Sequence, residues 1–562
     1  MENNDLLEIP PHLDRRPSDE INISGEAGVP PITGPLEIPE PDRLSQSQKE
    51  EATASAPDDS DQTLSQRDKV IAVGSAAELW HDADHIAYAT VKFGGHTENY
   101  KVRSRRYKQW LLTEYGQEYR KSRPGGNSFP SAPSSQALND GINTLEAIAS
   151  EGEKHDPRVR VSEFEGKVYI DLGAPDWSAV EIDNHSWRII DEPPVKFIRS
   201  LGLRSLPNPK RGGSLDDLKP FINFGSDDDF ILLAAWLVGS LSPKGPYPIL
   251  IVNGEQGSAK STLCRVLRRL IDPNAAEVRS SPRDGRDLVI AARNGWVVAL
   301  DNLSYISPPL SDDMCRVATG IGFATRTLCT DTDETIISIC RPQVVNGIPD
   351  LASRPDLADR AIALTLPAID EEERIPEQEF WKRFELEGAA SILGVLFDGV
   401  SSALKRRDTI SLSNLPRMAD FAVWVEAASP ALGWEPGGFL RAYSSNALKS
   451  VILTIEADPV ASAVQTFMDT CDDWTGTATE LLKELIYLVP EETVRQRMWP
   501  KSPGSLSNKL RRAAPALRHL GAIIDRDRAG ATGERLIFIR NTSKPPSDAS
   551  DASEDIAPWD EN

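Results

Sequence analysis

Cysteine and histidine are scarce in this chain: 562 residues contain 5 cysteines and 7 histidines. Cys264, Cys315, Cys329, Cys340 and Cys471 form no C-x-x-C pair, and no histidine clusters with them. That spacing argues against a structural zinc site and against a disulfide framework. Met1-Glu2-Asn3-Asn4-Asp5 lacks the basic start and apolar core of a secretory leader. The longest apolar stretch, Phe230 to Leu241, is shorter than a bilayer crossing requires. These absences predict a cytoplasmic protein with no membrane partner. The N-terminal third shows no Ser-His-Asp pattern, metal-ligand cluster or carboxylate pair. Asp82, Asp84 and His85 are neighbours there and read as a loop.

Positive charge is also short, with 62 Lys and Arg against 85 Asp and Glu, a net of −23. The deficit is concentrated at the ends. Residues 1–67 carry 15 acidic and 5 basic side chains, and residues 542–562 carry 6 and 1. Both ends are rich in Ser and Asp or Glu with scattered Pro, show no hydrophobic period, and read as disordered acidic tails. The middle is only mildly acidic, so the global charge does not argue against a nucleic-acid partner. A chain this long exceeds one core, and about two to four domains are expected.

Between the tails the text alternates in type. Residues 68–206 read as an N-terminal α+β unit. It has a strand at Ala87–Phe93, helices at about 106–119 and 134–150, and short antiparallel strands over 159–190. The Pro207-Asn208-Pro209 and Arg211-Gly212-Gly213 clusters mark a linker. In residues 214–368, buried strands at 248–252, 296–300 and 342–345 alternate with helices, the pattern of a parallel α/β sheet. Residues 369–458 read as helical, and residues 459–541 as a last compact unit. The fold class is therefore multidomain α/β.

The most informative text is Gly254-Glu255-Gln256-Gly257-Ser258-Ala259-Lys260-Ser261-Thr262, set between a strand and a helix. A bound triphosphate needs backbone N–H groups aimed inward, a mobile cation and a hydroxyl for Mg²⁺. A glycine-rich turn at a helix N-terminus supplies the first. Lys260 would reach the β- and γ-phosphates and Ser261 would ligate Mg²⁺, so ATP and Mg²⁺ are the expected cofactors. Ala259 departs from the pattern, which has glycine before the lysine. The plainer alternative is a Gly/Ser loop that happens to precede Lys-Ser-Thr.

Three further parts follow in order. Val297-Val-Ala-Leu-Asp301 is a buried strand ending in an acid, and Asp301 would hold the metal's water shell. The next residue is Asn302, which cannot act as a base where many motors place a glutamate. Glu255 and Asp331 are conceivable substitutes, and the sequence does not choose between them. Asn346, at the tip of the next strand, would face the γ-phosphate. Arg354 and Arg360 are the candidates for an arginine reaching a neighbouring subunit's ATP, although surface arginines more often form weak ion pairs.

Two basic segments stand out. Residues 501–540 hold 9 Lys and Arg against 3 acids. A helix, a strand, a Gly-rich turn (529–533) and a strand there, after helices at about 459–471 and 477–488, read as a winged helix. Lys509, Arg511, Arg512 and Arg518 would lie on or near its groove-entering helix, and Arg526, Arg528 and Arg535 on the wing, making DNA the expected partner. Residues 101–123 hold 8 Lys and Arg against 2 acids, interleaved with Tyr107, Trp110, Tyr115 and Tyr119. Aromatics at helical spacing read as a core stripe, which leaves the cations exposed.

This ordered set resembles the ATPase core of AAA+ proteins, in particular the superfamily 3 helicase and phage or plasmid primase–helicase branch. The matching text is Gly254–Thr262, Val297–Asn302, Pro342–Asn346, Arg354 and Arg360. Over about residues 75–540 the chain also resembles bacterial ATP-binding proteins of prophages and integrated elements. Their hallmarks are similar to Gly254–Thr262, Asp301-Asn-Leu-Ser304 and Arg354-Pro-Asp-Leu-Ala-Asp-Arg360. The resemblance implies an AAA+-like core, family roles for Lys260, Ser261, Asp301, Asn346 and one arginine, and a homo-oligomeric ring around DNA. It also implies a pore hairpin just before the third strand. Residues 324–339 fit that place, with Arg326 on one arm and an acidic tip at Asp331-Thr-Asp333. The leading expectation is an ATP-driven DNA motor or loader of a mobile element. The alternative is a slow-hydrolysing ATP switch assembling on DNA or a partner, which Asn302 favours. A small-molecule kinase is a third class, and it would need neither the Asn346/arginine set nor the winged helix.

Overall fold

The structure is a computed structural model. It describes residues 64–122, 128–326, 334–348, 351, 354–528 and 535–542. Most of both acidic tails, the tip of the 324–339 hairpin with Asp331, and the Gly-rich turn at 529–533 lie outside the described residues.

The first part packs helices Gln66–Ser75, Arg105–Glu118 and Ser135–Ser150 on a small sheet of Glu78–His81, Ala87–Phe93, His96–Lys101 and Glu153–Lys154. Ser104 caps the second helix by accepting from Tyr107 N at 3.1 Å. Tyr107, Trp110, Leu111 and Tyr115 of that helix are buried, while Arg105, Arg106 and Lys108 are exposed. The aromatics are thus core residues. The Asp82 carboxylate accepts from Asp84 N, Ile86 N and the Tyr88 hydroxyl, so the acidic/His cluster forms a self-bonded turn.

Four antiparallel strands follow: Val161–Phe164, Lys167–Asp171, Ala179–Ile182 and Trp187–Ile190. Val168, Ile170, Val180, Ile182 and Trp187 join the same hydrophobic core as Leu233, Trp236 and Phe397 far along the chain. A polar weld accompanies this packing. Fully buried Arg160 donates through Nε to Asp272 at 3.1 Å, and through Nη1 and Nη2 to the carbonyls of Asp171 and Arg204 at 2.9 and 2.8 Å. A buried pair of this kind resists disruption, because removing one partner strands the other charge at a cost of about 3–5 kcal/mol. This sheet is therefore fastened to the part that carries the phosphate-loop sequence.

In the centre, helix α1 (Asp227–Ser240) starts at the Ser226 cap with three aspartates in its first turn, matching the helix dipole. Leu232 through Ser240 are all buried, so this helix is a core element on every side. Strands β1 (Ile249–Gly254), β2 (Val298–Leu303), β3 (Gln343–Gly347) and β4 (Ala361–Leu366) form a sheet in the order β2-β3-β1-β4. All three pairings are parallel. Near-continuous apolar text in β1 follows from burial of both its faces. Helix α2 (Lys260–Ile271) covers one face, while Gly285–Asn294 and Pro308–Thr319 pack with the other. Because β3 lies between β1 and β2, the carboxyl ends of the three bring Gly254, Asp301 and Asn346 to one edge.

A helical run from Glu377 to Thr409 follows, widened by a π-turn at Phe384–Gly388. By length and composition it could cross a membrane, yet 67% of its most apolar stretch is packed inside the fold. Trp381 of this run is flanked by the guanidinium groups of Arg265 and Arg269 of α2, 4.6 and 3.8 Å from its ring centroid. That stack, with the Arg265–Glu377 pair at 2.5 Å, ties the helical region to α2, the helix that follows the glycine-rich turn.

Helix α3 (Gly438–Ala457) leads into the last unit. This comprises α4 (Pro459–Thr470), β5 (Asp473–Thr477), α5 (Ala478–Leu488), a short helix Glu491–Arg495, α6 (Pro503–His519), β6 (Ala522–Arg528) and β7 (Arg535–Asn541). The strands pair antiparallel in the order β5-β7-β6. Strand β5 is absent from the sequence reading. Its text, Asp-Trp-Thr-Gly-Thr, carries little apolar alternation, and the strand exists because Trp474 and Thr475 align with Ile539 and Phe538.

Candidate functional site

The loop from Gly254 to Thr262 closes as a tight turn for identifiable reasons. Gly254 has φ +149°, and a Cβ there would sit 2.7 Å from Ser258 Oγ and 2.9 Å from the Leu366 carbonyl. Gly257 has φ +88°. Both positions therefore require glycine. Ser258 is buried and its Oγ donates to the Glu255 carbonyl at 2.9 Å, pinning the turn. Glu255, Gln256 and Gly257 face outward. Ala259 adopts φ +58°, ψ +28°, the left-handed conformation in which a Cβ is strained. That conformation is the physical reason glycine suits this place.

Lys260 curls over the loop. Its Nζ donates to the carbonyls of Gly254 and Glu255 at 2.8 and 2.6 Å. Partial burial holds its ammonium below the ordinary lysine range, while nearby Asp301 pulls the other way. One residue on, Ser261 Oγ donates to Asp301 Oδ1 at 2.6 Å. A hydroxyl and a carboxylate in contact are hard oxygen donors of the kind Mg²⁺ takes, so the pair fits that ion. Among the described residues no group of three or more His, Cys, Asp or Glu could hold a metal. A Mg²⁺ on Ser261 and Asp301 would complete its shell from phosphate and water.

Asn346 is buried, and its carboxamide is fully engaged. Nδ2 donates to Asp301 Oδ1 at 2.7 Å and to Cys264 Sγ at 3.2 Å, and Oδ1 accepts from Asn302 N at 2.8 Å. Asn346 therefore aims the Asp301 carboxylate and holds Asn302, whose φ is +55°. Backbone pairing adds a second constraint, since Asp301 N donates to the Arg279 carbonyl at 2.8 Å. Burial pushes the Cys264 thiol up to about 12, which keeps it neutral behind the site.

The two arginines are held elsewhere. Arg354 donates to the Pro308 carbonyl at 2.8 Å and pairs with Asp312 at 3.0 Å. Arg360 donates to the carbonyl of Asp356 at 2.9 Å and pairs with the same residue's carboxylate. The partners of both lie on the helix 308–319 and the turn 355–358 rather than on the loop.

Sequence reasoning missed three contributors. Cys264 lies one helical turn after Lys260 on the inward face, a signal available from helix periodicity. Asn223 donates to both the Ser258 and Pro367 carbonyls, at 3.1 and 2.8 Å, and so staples the loop to the end of β4. Arg374 lies over Gly257. Neither Asn223 nor Arg374 has a local signal, because both act through chain-distant contacts.

In the last unit, Arg511, Arg512 and Arg518 are exposed on α6, and Lys509 is half-buried. Arg526 Nη2 donates to the Ser507 carbonyl at 2.6 Å, which brings β6 against the same helix. Burial lowers the Arg526 pKa, and the neighbouring Arg511 charge adds to the effect. Arg535 is exposed on β7. The side chains of Arg326 and Arg528 lie outside what the structure describes.

Fold and site together define a multidomain α/β protein with a glycine-rich strand–loop–helix turn at the carboxyl edge of a parallel sheet. Two family models match the chain. The actinomycete integrative conjugative element replication protein model matches residues 215–445, and the AICE RepA C-terminal domain model matches residues 460–553. The matches follow one another in the order of one protein and together cover more than half of the chain. The chain thus carries the replication-protein domains of these mobile elements. It is also similar to solved structures of the NrS-1 C-terminal region. One, the A form apo structure, has 11% identity over 84% of this chain and 97% of that one, with a TM-score of 0.37. A second apo structure, covering residues 305–718, has 12% identity over the same shares and a TM-score of 0.34. Likeness this remote transfers no residue role. No curated protein matches the chain.

Proposed function

We propose that this replication protein binds Mg²⁺-ATP at Gly254–Thr262 and hydrolyses it to drive a DNA-acting motor or loader of its mobile element. The observation that carries the reading is the meeting of Lys260, Ser261, Asp301 and Asn346 at one sheet edge, from text up to 86 residues apart. Lys260 neutralises the β- and γ-phosphates, Ser261 and Asp301 hold Mg²⁺, and Asn346 keeps Asp301 in register. Bound Mg²⁺ supplies charge stabilisation on the phosphoryl oxygens. The parallel order β2-β3-β1-β4 and the Arg354/Arg360 segment support an AAA+-like core working as a homo-oligomeric ring, with one arginine entering a neighbour's site. The α4-β5-α5-α6-β6-β7 succession supports a winged helix that meets DNA through Lys509, Arg511, Arg512, Arg518 and the wing.

A second reading rests on Asn302. An amide follows Asp301 where a motor's base would stand, which favours a slow ATP-dependent switch that assembles on DNA. Calorimetric titration of Mg²⁺-ATP into the full chain, followed by native mass spectrometry, tests the common ground. Saturable binding with ATP-dependent oligomers supports the proposal, and a strict monomer that takes up no nucleotide rules it out.

A further inference from the structure

Arg374 stands beside Gly257 on the outer side of the loop, and among the described residues its guanidinium has no close partner. A Cβ placed on Gly257 would lie 3.5 Å from Arg374 Nη2. The guanidinium's two contacts are long: 3.7 Å to the Glu371 carboxylate and 3.5 Å to the Ile369 carbonyl. The side chain is 55% exposed. A 3.7 Å pair between exposed groups contributes little, so Arg374 is free to exchange partners.

The segment that carries it is fixed to the loop at its root. Asn223 Nδ2 bridges the Ser258 carbonyl of the loop and the Pro367 carbonyl at the end of β4. Arg374 is also the lone cation in the run Asp370-Glu-Glu-Glu-Arg-Ile-Pro-Glu-Gln-Glu379. Such a run beside a polyphosphate site repels the ligand unless a cation intervenes. Lys260 is the loop's own cation, and one lysine offsets only part of a triphosphate's charge. Arg354 and Arg360 pair with Asp312 and Asp356, away from the loop of their own subunit.

We infer that Arg374 is a nucleotide-binding residue acting within its own subunit, exchanging the Glu371 carboxylate for a phosphate oxygen when a nucleoside polyphosphate enters the loop. The inference rests on the ATP reading above and adds a second cation to that site. Guanidinium–phosphate hydrogen bonds are charge-assisted and geometrically specific, so arginine is the suited residue and lysine a partial replacement.

The test is calorimetric binding of ATPγS, with Mg²⁺, to the full-length wild type and to Arg374→Ala, Arg374→Lys and Glu371→Gln. Arg374→Ala should weaken binding about tenfold or more, and Arg374→Lys by less. Glu371→Gln, which frees the guanidinium, should leave affinity unchanged or raise it. Circular dichroism melts should be unaltered, since both residues are exposed. Wild-type binding with undiminished Arg374→Ala affinity overturns the role of Arg374 and leaves the ATP reading standing. A wild type that binds no nucleotide overturns both.

Discussion

Ser261 Oγ donates to Asp301 Oδ1 at 2.6 Å, joining the first turn of α2 to the end of β2. Neither residue is near the other in sequence, and Asn346 donates to the same carboxylate oxygen from the strand between them. If this carboxylate serves a metal, Asp301→Ala should lower ATP hydrolysis about a hundredfold or more. Nucleotide binding in the presence of EDTA should stay close to wild type, because Lys260 and the loop amides remain. Equal loss of both quantities would assign Asp301 to the fold instead of the metal.

Ala259 is a strained residue in the loop, at φ +58°. Relieving it by Ala259→Gly should raise stability by about 1 kcal/mol at most, the left-handed penalty less the extra unfolded-state entropy of glycine. A β-branched Ala259→Val should destabilise by more than the glycine variant gains. Denaturant unfolding of the two variants against wild type checks the sign of each.

The strand, glycine-rich turn and helix around Lys260, and the strand that ends at Asp301, are legible in the sequence, because the signals there are local and contiguous. The stripe Tyr107, Trp110, Leu111 and Tyr115 was legible for the same reason: a helical period names its own buried face. What was not legible depends on pairing across the chain. Arg160 and Asp272 lie 112 residues apart and give no sign in the sequence that they meet, so the joining of the 161–190 sheet to the central core is not legible there. Strand β5 is written in residues that choose extension only when β7 lies alongside. The strand order alone puts Asn346 at the tip of β3, and its bonds there are to Asp301, Cys264 and Asn302.

Three cysteines should be inert in the folded protein. Burial pushes the thiols of Cys264 and Cys315 to about 12 and that of Cys340 to about 11. A raised thiol pKa favours the neutral form, so reactive thiolate appears only as pH climbs towards those values. Iodoacetamide at pH 8, followed by peptide mass mapping, should modify none of the three until denaturant is added. Rapid native labelling of Cys264 would contradict its place behind Asn346.

DNA binding, if carried by α6, is chiefly electrostatic. Exposed Arg511 and Arg512 should each contribute about one unit to the salt dependence. The double variant Arg511→Ala/Arg512→Ala should lower the slope of log K against log salt by about two and weaken binding across sequences. An unchanged slope would move the DNA contact away from this helix.

Lys260 and its neighbours are proposed to bind and hydrolyse ATP in the service of DNA work. Steady-state ATPase measurement of the full chain, with and without single-stranded DNA, tests it most directly when run beside Lys260→Ala. Turnover should be stimulated by DNA and abolished in Lys260→Ala. Turnover absent in both conditions, or equal in wild type and Lys260→Ala, would contradict it.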